Sequence, residues 1–250
     1  MTIDQTIALL SSMGTCITAI FIFVTLLEMS RQRKSTYLPD LFPATQFFYA
    51  KTADPESLNI PTNWTPSPDD DTSEAMIYLL NFHNIGNGAA KNIEFCWNID
   101  LKHEVDRINK LCIEYGIKVK IEIEDDTLLN IIENGEFKIT VGSGYSWEIN
   151  IDHLLPSSID NTGTKVMLPL TYIILSSIVI KLHFKQVEQG IAPQELIFPW
   201  LGLTLSYNDI GGNKHIKAFN VSAESQIYSI DEFQGQLNLT QTFDNNSTAF

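Results

Sequence analysis

Ile17-Thr18-Ala19-Ile20-Phe21-Ile22-Phe23-Val24 lies inside a run from Thr6 to Leu27 that holds no charged residue. As a helix, those twenty-two residues reach about 33 Å at about 1.5 Å each, enough to cross a hydrocarbon core of roughly 30 Å. The sequence therefore predicts a single N-terminal transmembrane helix, roughly Thr6 to Met29. Asp4 precedes the run, and Arg31, Arg33 and Lys34 follow it. A cleavable signal peptide carries its basic residues ahead of the apolar run; here the order is reversed. Positive charge after the run places the N-terminus outside and the remainder in the cytoplasm. The expected location is the inner (plasma) membrane. Asn-x-Ser/Thr triplets at Asn63, Asn220, Asn238, Asn245 and Asn246 arise readily in an Asn-rich chain and do not outweigh that asymmetry.

The remaining residues are too apolar to stay disordered: the chain is 44% hydrophobic and 10% aromatic, enough to bury a sizeable core. The net charge of -14 opposes sequence-independent binding to long nucleic acid, whose phosphates require a basic face. Cys16, Cys96 and Cys112 contain no C-x-x-C pair, so neither a disulfide framework nor a zinc site is expected, and a reducing compartment fits. A second apolar stretch, Val166 to Ile180, is short for a span and carries Pro169. It reads as a buried helix with the proline at its first turn.

Within the first run the hydroxyl residues keep to one side. Ser11, Thr15, Thr18 and Thr25 follow a helical spacing with Ile22 in the gap, and the series meets Asp4 at one end and Glu28 at the other. Leu9, Leu10, Ile17, Ile20, Phe21, Phe23, Val24 and Leu27 lie opposite. Three readings follow from this stripe. Small and polar side chains in a span mark helix–helix contact. Hydroxyls around an axis, with Asp4 and Glu28 ringing its mouths, suit a cation path. Hydroxyls that bond back to their own helix need no neighbour, and then the segment is an anchor alone.

Beyond the basic flank, residues 1–35 give way to a β-rich cytoplasmic domain over 36–232 and a polar, mobile tail over 233–250. Tyr37 to Pro43 is an extended linker stiffened by two prolines. Strands are expected over Thr45–Lys51, Ala75–Phe82, Ile93–Ile99 and Ile117–Ile123. Glu136–Val141 and Tyr145–Ile151 are expected to form one hairpin about Gly142 and Gly144; Leu201–Tyr207 and Lys214–Val221 form another. Residues 52–73, with the triplet Asp69-Asp70-Asp71, read as a solvated loop. Helices are expected over Leu101–Tyr115, ended by Gly116, and over Pro169–Gln189, closed by Gly190. In Asn84-Ile85-Gly86-Asn87-Gly88-Ala89-Ala90, asparagine and glycine supply positive-φ positions that reverse the chain. The segment resembles the N-x-G-x-G-x-A connection of immunoglobulin-like sheets in small bacterial domains. The fold class is thus one transmembrane helix plus a mainly-β, immunoglobulin-like sandwich with two helices.

No constellation for catalysis stands out, and none for a cofactor or metal. His103-Glu104 lacks the second histidine one turn on that a zincin needs; Glu122, Glu124, Asp125 and Asp126 lack the spacing of a calcium loop; Gly142-Ser143-Gly144 is not a nucleophile elbow. An enzyme is not expected. Local basic groups are the better candidates for ligand binding: Lys118 and Lys120 on one strand face, Lys181, His183 and Lys185 on the second helix, and Lys214, His215 and Lys217 beside a hairpin turn. If they converge they hold a nucleotide or short oligonucleotide by its phosphates; if not, each is an ordinary surface group.

The span with its Ser11/Thr15/Thr18/Thr25 stripe, the Arg31-Gln32-Arg33-Lys34 flank and the compact β-rich domain together resemble the membrane effectors of bacterial anti-phage defence systems, Hailong-type channel effectors among them. The resemblance implies a homo-oligomeric, ligand-gated cation channel or pore. The alternative is a passive membrane tether that recruits a cytoplasmic protein partner.

Overall fold

The computed structural model describes residues 3–51, 60–69, 77–125, 128–142, 148–189, 197–228 and 233–246; side chains at 5–11, 33–35, 226–228 and 243–246 lie outside that description. Helix α1 runs from Ile3 to Thr36 without a break. Its stretch Ser12–Gln32 is long and apolar enough to cross a bilayer, and none of it is buried against the rest of the chain. The helix continues through the basic flank and stops where Pro39 forbids the preceding residues a helical conformation.

The strands that follow are β1 (Leu41–Pro43), β2 (Gln46–Lys51), β3 (Asn63–Thr65), β4 (Leu79–Asn84) and β5 (Ala90–Asn98). After α2 (Leu101–Glu114) come β6 (Val119–Glu124), β7 (Leu128–Glu133), β8 (Glu136–Gly142), β9 (Glu148–Leu154) and β10 (Thr164–Met167). Helix α3 (Leu170–Glu188) leads to β11 (Leu201–Asn208), β12 (Lys214–Tyr228) and β13 (Phe233–Asn246). The described residues are therefore mainly β, with three helices. Three antiparallel sheets result: β1-β4-β10, the seven-stranded β3-β2-β13-β12-β11-β5-β9, and β6-β7-β8.

Aromatic side chains join these parts. Phe82 on β4 meets Phe95 on β5 edge-on at 4.9 Å, which ties the first sheet to the second. Phe48 stacks on Trp64 at 4.1 Å. Trp64 meets Tyr172 of α3 edge-on and donates its indole N–H to Ser177 Oγ at 3.0 Å. Each such fully buried ring contributes about 1.5–3 kcal/mol through lost apolar exposure. On the third sheet, the Asn109 amide bonds both the N–H and the C=O of Ile121, at 2.9 and 2.8 Å. A side chain of α2 thus satisfies part of the open edge of β6.

Several expected elements stand where the sequence places them. Helix α2 starts at Asp100, whose carboxylate accepts the His103 N–H at 3.1 Å, and the chain leaves it through Gly116 at φ +67°. Helix α3 follows Pro169 and is mostly buried. Strands β11 and β12 pair as a hairpin from Leu201↔Val221 to Asn208↔Lys214.

Others do not. Residues 136–141 and 145–151 do not form one hairpin: β8 pairs with β7, and β9 pairs with β5 in a different sheet. The reversal is made instead by Asn134-Gly135, at φ 54° and 83°, the backbone shape a two-residue hairpin turn demands. Gly144 and Tyr145 lie outside the described residues, as do Ala75, Gly190, Asp70, Asp71 and Asp126; the strand expected from Ala75 is described from Leu79. The supposed polar tail is corrected most: residues 233–246 form β13, between β2 and β12 in the middle of the largest sheet. Phe233 and Leu237 are buried there, so the β-rich domain runs on past 232. Gly86 and Gly88 lie in the expected connection, yet neither has a positive φ; their smallness serves the close approach described next.

Candidate functional site

The candidate site is built from two parts, the face of α1 and the joint where α1 meets the sheets. On α1, Asp4 sits in the first turn, and Thr15, Ile22 and Glu28 are exposed. Thr18 Oγ1 donates to the Gly14 carbonyl and Thr25 Oγ1 to the Phe21 carbonyl, each at 2.8 Å. These back-bonds satisfy two hydroxyls of the stripe within the helix itself. The side chain of Ser11 lies outside the described set.

At the joint the linker is fastened down. Ile85 N–H donates to the Asp40 carbonyl at 2.8 Å, and the N–H groups of Asn87 and Gly88 donate to the Leu38 carbonyl at 3.1 and 3.3 Å. A Cβ on Gly88 would lie 1.8 Å from the Tyr37 carbonyl oxygen, and one on Gly86 would lie 2.3 Å from that of Leu38. The glycines are required because backbone presses on backbone, not because the chain turns left-handed. Asn84, fully buried, organises the contact. Its Oδ1 accepts the N–H of Asp40 at 3.0 Å and of Gly86 at 3.2 Å. Its Nδ2 donates to the carbonyls of Gly88 at 2.6 Å and Leu154 at 3.2 Å. Its own carbonyl accepts both the N–H and the hydroxyl of Ser157. One amide thus joins the linker, the glycine loop and the end of β9.

The second half of the joint is charged. Lys217, 3% exposed, reaches Asp40 of the linker as an ion pair. Tyr207, opposite His215 across the β11–β12 hairpin, donates its hydroxyl to the Pro39 carbonyl at 3.4 Å. The His215 ring stacks on Tyr207 at 5.2 Å and its Nε2 lies 3.4 Å from Asp209 Oδ2. Burial works against charge on Asp209, but bonds from the Asn213 side chain and backbone, with His215 beside it, hold its carboxyl below the usual range.

The other basic candidates stand elsewhere. Lys120 pairs with Glu122 at 2.6 Å on the exposed face of β6, and Lys118 is exposed just ahead of that strand. Lys181 pairs with Glu133 at 2.7 Å, and Lys185 with Glu188 at 2.9 Å. Glu133 lies opposite Val119 and shares its buried side of the sheet, away from Lys120. His183 is buried in α3, which lowers its pKa. Lys214 is exposed at the start of β12. The structure brings Lys217, His215 and the linker together; it sets Lys118 and Lys120 on the opposite face of their sheet from Lys181.

The chain matches no family model, no curated protein and no solved structure. What it can do is therefore argued from the joint and the bare helix. A recess of about 400 Å³ between α2 and β6 is lined by Lys102, Asp106, Asn109 and Asp125 among others, and two carboxylates against one lysine do not favour a phosphate. No group of three or more His, Cys, Asp or Glu among the described residues could hold a metal ion. Sequence reasoning found Lys217 and His215 but assigned them to a ligand. It missed Asp40, Asn84, Tyr207 and Asp209. The one local clue is the Asp209-Ile210-Gly211-Gly212-Asn213 turn, whose aspartate and asparagine bond each other at 2.7 Å.

Proposed function

We propose that the protein is a membrane effector anchored by α1 in the inner membrane, N-terminus outside, with its β domain in the cytoplasm. The spans assemble, and the assembly is a cation-permeable channel whose state is set by a ligand on the β domain. We read the first two sheets as the layers of an immunoglobulin-like sandwich, and the setting as anti-phage defence, as the architectural resemblance implies. One observation carries this reading: the end of α1 is clamped to the sheets through Asn84, Gly86, Gly88 and the Asp40–Lys217 pair. A passive anchor works equally well on a slack tether. A fixed joint is what transmits a shift in the sheets to the helix, provided the ligand differs in affinity for the two assemblies.

The test is ion flux from vesicles holding the intact protein, with its mass in detergent measured by light scattering. A defined oligomer that conducts, and that loses conduction in Thr18→Leu while staying inserted, supports the channel. An inserted monomer that never conducts removes it. A second reading, the tether that recruits a cytoplasmic protein partner, is favoured by the back-bonded Thr18 and Thr25 and by the pairing of Lys120, Lys181, Lys185 and Lys217 with acidic groups. Co-purification of one protein with the monomer decides for it.

A further inference from the structure

The recess between α2 and β6 borders a stretch of open backbone. Strand β6 pairs with β7 alone and is an edge of its sheet. Because Asn109 holds both the N–H and the C=O of Ile121, Ile121 turns its backbone polar groups away from β7. In an antiparallel ladder that outward direction recurs at every second residue. Ile123 therefore also presents an N–H and a C=O on the open side, and among the described residues none bonds them there. Alongside lies the recess of about 400 Å³, within the roughly 300–1,000 Å³ of ordinary ligand sites. Its floor is apolar: Val105 and Ile121 are buried and Ile123 half-buried. Its rim is charged, with Lys102 and Asp106 from α2 and Asp125 from the end of β6, all exposed. The Asn109 amide closes one end, and at Asp125 the backbone turns left-handed, at φ 52°, and the ladder stops. The open stretch between them, 122–124, is about 10 Å long.

We propose that this recess takes a short, extended peptide segment with a basic side chain, which adds to the open edge of β6 as a further strand. The backbone sets the class of partner. A donor and an acceptor on one extended residue are the complement of another extended backbone, the basis of recognition by strand addition. Asn109 already meets Ile121 in this way, its side-chain amide standing in for a peptide group. The apolar floor receives one side chain of the incoming segment. Charge sets the sequence preference. Asp106 and Asp125 against Lys102 leave the rim acidic, and the net charge of -14 adds to the same field. A lysine or arginine is drawn to such a rim and an acidic residue is repelled. The inference uses no property of α1, so it stands whether the assembly conducts or only tethers.

In the experiment, the full chain in detergent is mixed with two pools of capped hexapeptides, random except for lysine or glutamate fixed at the third position. Retained peptide is measured by mass spectrometry, and amide hydrogen exchange locates the contact. The expected result is several-fold higher retention of the lysine pool, with exchange slowed over 121–125. Asp106→Asn combined with Asp125→Asn should cut that preference several-fold; both groups are exposed, so the thermal melt should be kept. Ile123→Pro removes the outward N–H without touching a bond to β7, as an edge strand tolerates, and should abolish retention. Ile123→Ala, which keeps the N–H, should retain part of it. Equal retention of the two pools, or retention that survives both Ile123→Pro and the double variant, overturns the proposal. Retention of neither pool also overturns it. If exchange over 121–125 then slows only as protein concentration rises, a second copy of the chain covers the edge instead.

Discussion

Helices α1 and α3 pass the same test and live in opposite surroundings. Each has a stretch long and apolar enough to cross a bilayer, yet the stretch in α1 is bare and that in α3 is mostly buried. The stretch in α1 is the more apolar of the two, with mean hydropathy 1.8 against 1.2, but the sharper difference is what lies alongside. Around α3, Trp64 bonds Ser177, Tyr172 meets Trp64, and Lys181 finds Glu133. Around α1, Thr18 and Thr25 bond their own helix. Ser177 and Lys181 of α3 find partners on distant strands, whereas those two hydroxyls of α1 are satisfied within their own helix.

The comparison breaks most sharply under a buried charge. Ile178→Asp in α3 should cost more than about 4 kcal/mol, since an unpaired carboxylate enters the core, and thermal melts in detergent should show no cooperative unfolding. Ile20→Asp in α1 should leave that melt intact and instead reduce membrane insertion, read by alkaline extraction. If both variants unfold alike, the distinction between the two helices is lost.

The joint sharpens the contrast, because there the two surroundings meet. Asn84→Ala strands the Asp40 and Gly86 N–H groups and the Gly88 and Leu154 carbonyls. A loss of about 2–4 kcal/mol is expected, with new protease cleavage between Tyr37 and Pro43. Gly88→Ala should cost at least as much, about 3 kcal/mol or more, because its Cβ would overlap the Tyr37 carbonyl and only backbone held by the joint can move to relieve it.

Asp209→Asn is expected to cost about 1–2 kcal/mol at neutral pH. The sign follows from its depressed pKa. A carboxyl that ionises more easily when folded stabilises the fold above its ordinary unfolded value, near 3.9, and loses that contribution as pH falls through the folded value. Denaturation curves of variant and parent should therefore converge below about pH 4. Divergence on acidification would contradict the assignment. The smallest effect concerns Cys112. Burial pushes its thiol up to about 11, Lys181 opposing slightly, so at pH 7.5 it should resist maleimide until the domain unfolds, as followed by mass spectrometry.

These features differ in how far they could be read from the sequence. The α1 run, α2 with its Gly116 stop, α3 behind Pro169 and the β11–β12 hairpin were all legible, because each is written in neighbouring residues. Asn134-Gly135 is equally local, an Asn-Gly turn signal between two apolar alternating strands, but Gly142 and Gly144 follow closely and offer a competing reversal. Strand β13 hid because its Gln, Asn and Thr residues look like a tail, while the alternation of Phe233, Gly235 and Leu237 that buries one face is short. The joint was least legible. Lys217 and Asp40 stand 177 positions apart, and no spacing rule connects a lysine to an acid it meets only after the sheets have formed.

The place of β13 has a consequence for how the molecule is made. Strand β2 emerges early, but the second of its two neighbours in the sheet begins at Phe233. At about 5–20 residues per second, the wait is about 10–40 s. If α1 has entered the bilayer by then, Phe48 and the rest of β2, with only β3 beside them, spend that interval with one edge open near the membrane surface. Completion of the sheet is thus an event tethered to lipid, and a chain interrupted before Phe233 would leave β3-β2 on one side and β12-β11-β5-β9 on the other, with nothing to bridge them.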